Sequence, residues 1–62
     1  MVAVRELIIG VLRKKPEGLT VEEISRATNV NRVTVSKYLY GLVVEGKVKQ
    51  RKVGPAKLNY LK

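Results

Sequence analysis

The chain has 62 residues, with 13 Lys+Arg against 5 Asp+Glu, a formal net charge of +8, and no Cys, His, Trp or Phe. That length admits one domain, 1–62, with a small core, and the missing Cys and His exclude disulfide staples, zinc sites of the usual kind and the common nucleophile–base pairs of hydrolysis. A hydrophobic fraction of 45% belongs to a folded domain rather than a basic disordered tail, so the expectation is a binding module with no metal and no cofactor, not an enzyme.

Val4, Ile8, Val11 and Leu12 recur at helical spacing and predict an amphipathic helix over about 3–15. Gly10 costs that helix roughly 1 kcal/mol against Ala. Leu7 and Ile9 lie beside the stripe and either widen it or leave apolar surface exposed. Arg13, Lys14 and Lys15 fall in the last turn, where cations suit the helix dipole; a phosphate contact is the functional alternative. Pro16-Glu17-Gly18 then stops the helix and turns the chain.

Thr20-Val21-Glu22-Glu23 is a capping box, with Thr20 as cap and Glu23 reaching back, and Leu19 and Ile24 form the matching hydrophobic staple. A short helix over about 21–28 follows, expected to bury Ile24 and Ala27 and to end near Thr28-Asn29. Asn31 starts the next helix, with Val30 and Val35 in the staple positions. It runs over about 32–45 with Val35, Leu39, Leu42 and Val43 as its apolar stripe, Tyr38 at the edge, partly buried, and Gly46 in the left-handed position after it. Two helices joined by three or four residues must cross steeply, as in a helix-turn-helix.

Beyond Gly46 the period changes. Residues 47–53 form a Lys/Val-rich extended run, Gly54-Pro55-Ala56-Lys57 a turn, and Leu58–Leu61 a second strand, together a basic hairpin over 47–61. Two strands alone are marginal. Leu19-Thr20 is positioned to add a third strand of one or two residues, and Val48 and Leu61 are expected to face inward.

The charge is uneven along this plan. Residues 1–31 hold five basic and four acidic residues, net +1, whereas 32–62 hold eight basic residues and Glu45 alone, net +7. Such a half-chain repels itself unless an anionic partner is near, and nucleic acid is the partner that most often supplies the anion for a small folded domain. A solvated lysine surface is the plainer reading. A membrane surface fits poorly, because the basic segment is mostly not helical in pattern. No apolar run approaches the ~20 residues of a membrane span, and no signal peptide stands out.

Leu19-Thr20-Val21-Glu22-Glu23-Ile24 followed by Asn29 to Leu39 resembles the winged helix-turn-helix of bacterial and archaeal transcription regulators. In those families "T-V-S-[KR]-x-L" marks the recognition helix, here Thr34 to Leu39. Leu42…Glu45-Gly46-Lys47-Val48 resembles their passage into the wing, and Gly54-Pro55-Ala56-Lys57 a wing tip. The resemblance covers nearly the whole chain, and the order and spacing of its short motifs are more specific than any one of them. It implies an α+β, mainly α, fold of three helices plus a C-terminal hairpin wing. It also implies sequence-specific double-stranded DNA binding in transcription regulation, with helix 32–45 in the major groove and the 47–61 wing on the backbone or minor groove.

Carried over by position, Arg32, Val33, Thr34, Ser36, Lys37 and Tyr40 form the groove-facing side, in agreement with the helical pattern that turns 35, 39 and 42 inward. Each has two readings. Arg32 contacts phosphate or base, or is solvated; a cation at a helix N-terminus is unfavourable without an anion. Val33 meets a thymine methyl or is a scattered exposed apolar residue. Thr34 bonds a phosphate or shields the first turn. Ser36 admits close approach or is an ordinary surface serine. Lys37 binds base or phosphate, or is a solvated charge, and Tyr40 bonds a phosphate or packs on the hairpin. Lys49, Arg51, Lys52 and Lys57 are expected to give the wing a phosphate-facing surface, with hairpin register deciding which of them point outward. A winged-helix module binding RNA or a protein partner is the alternative; three Tyr and no Phe or Trp disfavour single-strand stacking. A homodimer through helix 1 would use Val2, Ala3, Leu7 and Ile9. The expected location is cytoplasmic and nucleoid-associated.

Overall fold

A computed structural model describes residues 3–62. Three helices, α1 (Val4–Lys14), α2 (Val21–Thr28) and α3 (Arg32–Val44), precede two antiparallel strands, β1 (Val48–Val53) and β2 (Ala56–Leu61). This is the winged helix-turn-helix arrangement expected from the sequence, mainly helical with a C-terminal hairpin.

The helix ends follow from capping chemistry. The Thr20 hydroxyl accepts from the Glu23 N–H at 3.2 Å, and the Thr20 N–H donates to Glu23 Oε1 at 2.9 Å, so two of the orphan groups at the start of α2 are satisfied reciprocally. Asn29 ends α2 in the left-handed region, φ 58 and ψ 34, which Asn tolerates better than most residues. Only Asn29, Val30 and Asn31 separate α2 from α3. The Asn31 side chain then accepts from the Val33 N–H at 2.8 Å and starts α3.

α3 closes one residue earlier than expected, at Val44. Gly46 takes φ +80, its N–H donates to the Val43 carbonyl, and the Lys47 N–H donates to the Leu42 carbonyl, both at 3.0 Å. These two bonds are a Schellman motif and satisfy carbonyls that the helix leaves free.

The core gathers one stripe from each element: Ile8 and Leu12 of α1, Ile24 of α2, Val35, Leu39 and Leu42 of α3, and Val48 of β1. Val4, Ile9, Leu19, Val21, Val30, Val43 and Leu61 pack around them, half-buried. Both hydrophobic staples therefore close onto this core. Ala27 departs from the expectation and is exposed. α2 turns Val21, Ile24, Ser25 and Thr28 inward instead, and Thr28 ties its hydroxyl to the Ile24 carbonyl. Ile9 and Leu7 divide: Ile9 packs against the core, while Leu7 is 36% exposed.

An ion pair clamps the far end of α3. Arg5 donates from Nη1 to Glu45 Oε2 at 2.6 Å and from Nη2 to Oε1, joining the first turn of α1 to the residue that follows α3. A carboxylate beside a helix C-terminus is opposed by the helix dipole; the guanidinium fork, with Lys47 Nζ at 3.9 Å, offsets that. The hydrogen bonds from Arg5 hold the Glu45 carboxyl below its ordinary range, and the charge of Lys47 adds to this.

A carboxyl depressed in the folded state stabilises fully above its unfolded value, about 4.3, and loses that contribution as pH falls through its folded value. Titration of the Glu45 side-chain carboxyl by NMR is thus expected to give a midpoint below that of an unpaired glutamate, moving upward in Arg5→Ala. The same variant should show a shallower loss of Tm on acidification.

Candidate nucleic-acid interface

β1 pairs with β2 in the register Val48↔Leu61, Gln50↔Asn59, Lys52↔Lys57 and Val53↔Ala56, leaving Gly54-Pro55 as the turn. The turn is two residues shorter than expected. Gly54 takes φ +59 while the Pro55 ring holds a negative φ, the sign pattern of a type II′ turn, whose twist matches the flanking strands. Ala56 and Lys57 consequently belong to β2 and are paired. Alternation along the strands places Lys52 and Lys57 on the face that carries Val48 and Leu61, and Lys49 and Arg51 on the opposite face.

Val48 and Leu61 pack the hairpin against the helices, and backbone pairing ties it to the segment before α2 at one residue. Leu19 and Asn59 exchange backbone hydrogen bonds, Leu19 N–H to Asn59 O at 2.9 Å and Asn59 N–H to Leu19 O at 2.8 Å, the one-residue third strand expected before α2. Val48 is buried and Leu61 half-buried, as expected. The fully buried side chain of Asn59 was not anticipated. Its Nδ2 donates to the Leu19 carbonyl at 3.0 Å, and its Oδ1 accepts from Gln50 Nε2 at 2.8 Å, so the polar atoms that would otherwise be costly to bury are paired. The sequence signal was present: a lone Asn in the middle of a strand whose alternate positions turn inward. Gly18 permits the approach, with φ +104 and a position where a Cβ would come within 3.1 Å of the Leu58 Cβ and 3.2 Å of the Asn59 carbonyl oxygen.

Anchored there, the wing tip lies across a groove from α3. Thr20, Val21 and Glu22 at the start of α2 form one wall, Arg32, Val33 and Ser36 of α3 another, and Pro55, Ala56 and Lys57 the wing side. A second shallow groove runs along α3 between Val33, Ser36, Lys37 and Tyr40. Five of the six helix residues singled out in the sequence thus share one continuous surface, all exposed. Val33 is 66% and Tyr40 73% exposed, so Tyr40 does not pack flat on the hairpin. Thr34 is half-buried on the flank of α3 and lines neither groove. Tyr38, 43% exposed, stands at the margin of the buried stripe.

The electrostatics of this surface are simple. α3 carries no acidic residue from Arg32 to Val44, and Arg32 occupies its first turn, the end of the helix that repels a cation. Lys49, Arg51, Lys52 and Lys57 are all exposed. Glu22, the one acid in the groove walls, lies 3.8 Å from Arg26, with both side chains largely exposed. The α2 wall of the groove is not legible in the sequence, because capping already accounts for Thr20 and its neighbours. Among the described residues no group of acidic side chains is arranged to hold a metal ion, and no helix is long and apolar enough to cross a membrane.

Residues 7–52 match the IclR helix-turn-helix domain family, a stretch that runs from the first turns of α1 through α3 and into β1. A comparison with curated proteins finds no match.

Removing the Asn59 side chain in Asn59→Ala leaves the Gln50 amide without its partner and takes one donor from the Leu19 carbonyl. The expected cost is about 1–3 kcal/mol by denaturant titration. Amide hydrogen exchange at Leu19 and along the hairpin should quicken as the wing loosens, while NMR contacts among Ile8, Leu39 and Leu42 persist.

Proposed function

The chain belongs to the IclR helix-turn-helix domain family, a DNA-binding domain of transcription regulators, and from that premise we propose that residues 1–62 act as one sequence-specific reader of duplex DNA. α3 enters the major groove, a channel about 12 Å wide that admits a helix, and the wing tip follows the adjacent backbone or minor groove. The observation that carries this reading is the single exposed surface on which Arg32, Val33, Ser36, Lys37 and Tyr40 meet the wing across a groove, with no acid on α3.

The roles divide by chemistry. Arg32 and Lys37 supply cations to phosphates or base edges, and an approaching phosphate relieves the unfavourable position of Arg32 at the helix N-terminus. Tyr40 offers a hydroxyl to a phosphate. Ser36 keeps the helix surface low. On the wing, Lys57 lies beside the groove and Lys52 opposite it on the same face, so these two are the wing's phosphate contacts nearest α3. Lys49 and Arg51 add charge from the other face. The reading implies a cytoplasmic, nucleoid-associated protein and requires no cofactor, metal or catalysis.

With about five or six phosphates neutralised, log K is expected to fall with log salt at a slope of roughly −5, as measured by fluorescence anisotropy on a duplex of mixed sequence. Arg32→Ala with Lys37→Ala should weaken binding at least tenfold and flatten the slope by about two. Affinity independent of salt, or unaltered in that double variant, would overturn the reading. Duplex RNA and single strands in the same titration test the alternative partners.

Two-fold symmetric sites are commonly read by dimers. For a homodimer through α1, Ala3 and Leu7 are the outward residues; Ile9 is withdrawn into the packing around the core, and Val2 lies outside the described residues. Light scattering at high concentration is expected to show twice the chain mass, reverting to one chain mass in Leu7→Glu.

A further inference from the structure

Val33 is the second residue of α3 and one of two residues, with Ser36, that line both grooves. Its backbone is fixed by the Asn31 cap, and its side chain is 66% exposed, outside the core. An exposed valine there has nothing to recommend it for folding. It leaves apolar area in water, and β-branching lowers helix propensity relative to Ala. The same branching gives it one strongly preferred rotamer in a helix, so it presents two methyl groups at a fixed place with little entropy to lose on contact.

Its surroundings define what it would touch. Arg32 precedes it and Lys37 lies one turn on, so the ligand is an anion that also offers an apolar projection. Ser36, also about one turn along, is small and leaves room beside it. Val44 is equally exposed, at 70%, but sits at the opposite end of α3 next to Glu45 and lines neither groove. The major groove of duplex DNA has one apolar projection, the methyl group on pyrimidine C5, carried by thymine in unmodified DNA and by 5-methylcytosine in modified DNA.

We propose that Val33 is a specificity-determining residue that reads the C5 methyl of a thymine in the major groove. This rests on the duplex-DNA reading above and adds to it a base preference. Arg32 and Lys37 hold the phosphates or base edges on either side, and the valine discriminates thymine from a pyrimidine without the methyl.

The test uses the full chain. Duplexes are selected from a random-sequence library at fixed salt, and dissociation constants are measured on the selected duplex with each thymine replaced in turn by deoxyuridine, which removes only the C5 methyl. One replacement per bound copy is expected to weaken binding about fourfold, the value of burying one such group. Val33→Ala, which raises helix propensity at an exposed position and is checked for folding by circular dichroism, should lose a similar factor on the unmodified duplex. It should then be indifferent to that replacement. A Val33-dependent gain on 5-methylcytosine at a cytosine of the site supports the methyl contact with the modified base as a second source. Tight binding that no deoxyuridine disturbs, or a penalty that persists unchanged in Val33→Ala, overturns this inference alone. Failure of any duplex to be enriched overturns the duplex-DNA reading and this inference together.

Discussion

Leu19 and Asn59 lie forty positions apart in the chain, and the two backbone hydrogen bonds they exchange decide where the wing sits. A two-stranded hairpin in water is marginal; this one gains a third strand one residue long and a buried side chain that holds both Leu19 and Gln50. The contact exists because Gly18 lets the two backbones meet, in a conformation and a space that a Cβ would contest. Since Thr20, the very next residue, caps α2, the anchor that fixes the hairpin is continuous with the one that starts the second helix. The wing tip is therefore delivered to the N-terminal ends of α2 and α3 and nowhere else.

α3 is constrained at both ends by different chemistry. At its start, the Asn31 side chain takes up a free N–H. At its end, Gly46 closes a Schellman motif, and the Arg5–Glu45 pair ties the last turn to α1. Single caps contribute about 1 kcal/mol, a large fraction of the 5–15 kcal/mol that holds an ordinary domain together, and a core of seven buried side chains has little to spare. In the proposed function rigidity at these ends matters, because a helix that enters a groove must present its side chains at fixed positions.

Charge and scaffold are segregated. Glu45, the single acid after residue 31, pairs with Arg5 and lies near Lys47, and it lines neither groove. Of the basic residues in that half, Arg32, Lys37 and Lys57 line the grooves. The first two helices, close to neutral, add Ile8, Leu12 and Ile24 to a core that α3 shares. In the proposed function this division gives affinity from phosphate contacts and leaves the few uncharged residues of α3, Val33 and Ser36 foremost, to discriminate bases.

The elements most legible in the sequence are those set by neighbours in the chain. Caps, staples and helical stripes act over three to eight residues, and the bounds of α2 and the start of α3 follow from them; α1, which has no side-chain cap, runs one residue shorter at each end than its stripe suggests. The charge imbalance, and with it an anionic partner, was likewise complete in the sequence. Ala27 falls outside the buried face because helical spacing does not say how wide that face is in an eight-residue helix; packing against α1 and α3 leaves a narrow one. The turn is shorter than the sequence suggests because Gly-Pro marks a reversal without fixing how soon pairing resumes. What only the tertiary structure decided was which residues share a surface. The burial of Asn59, the Arg5–Glu45 clamp, the sorting of wing cations by register and the placing of Thr34 outside both grooves all depend on contacts between segments distant in the chain. Their energies are set by geometry that no local pattern encodes.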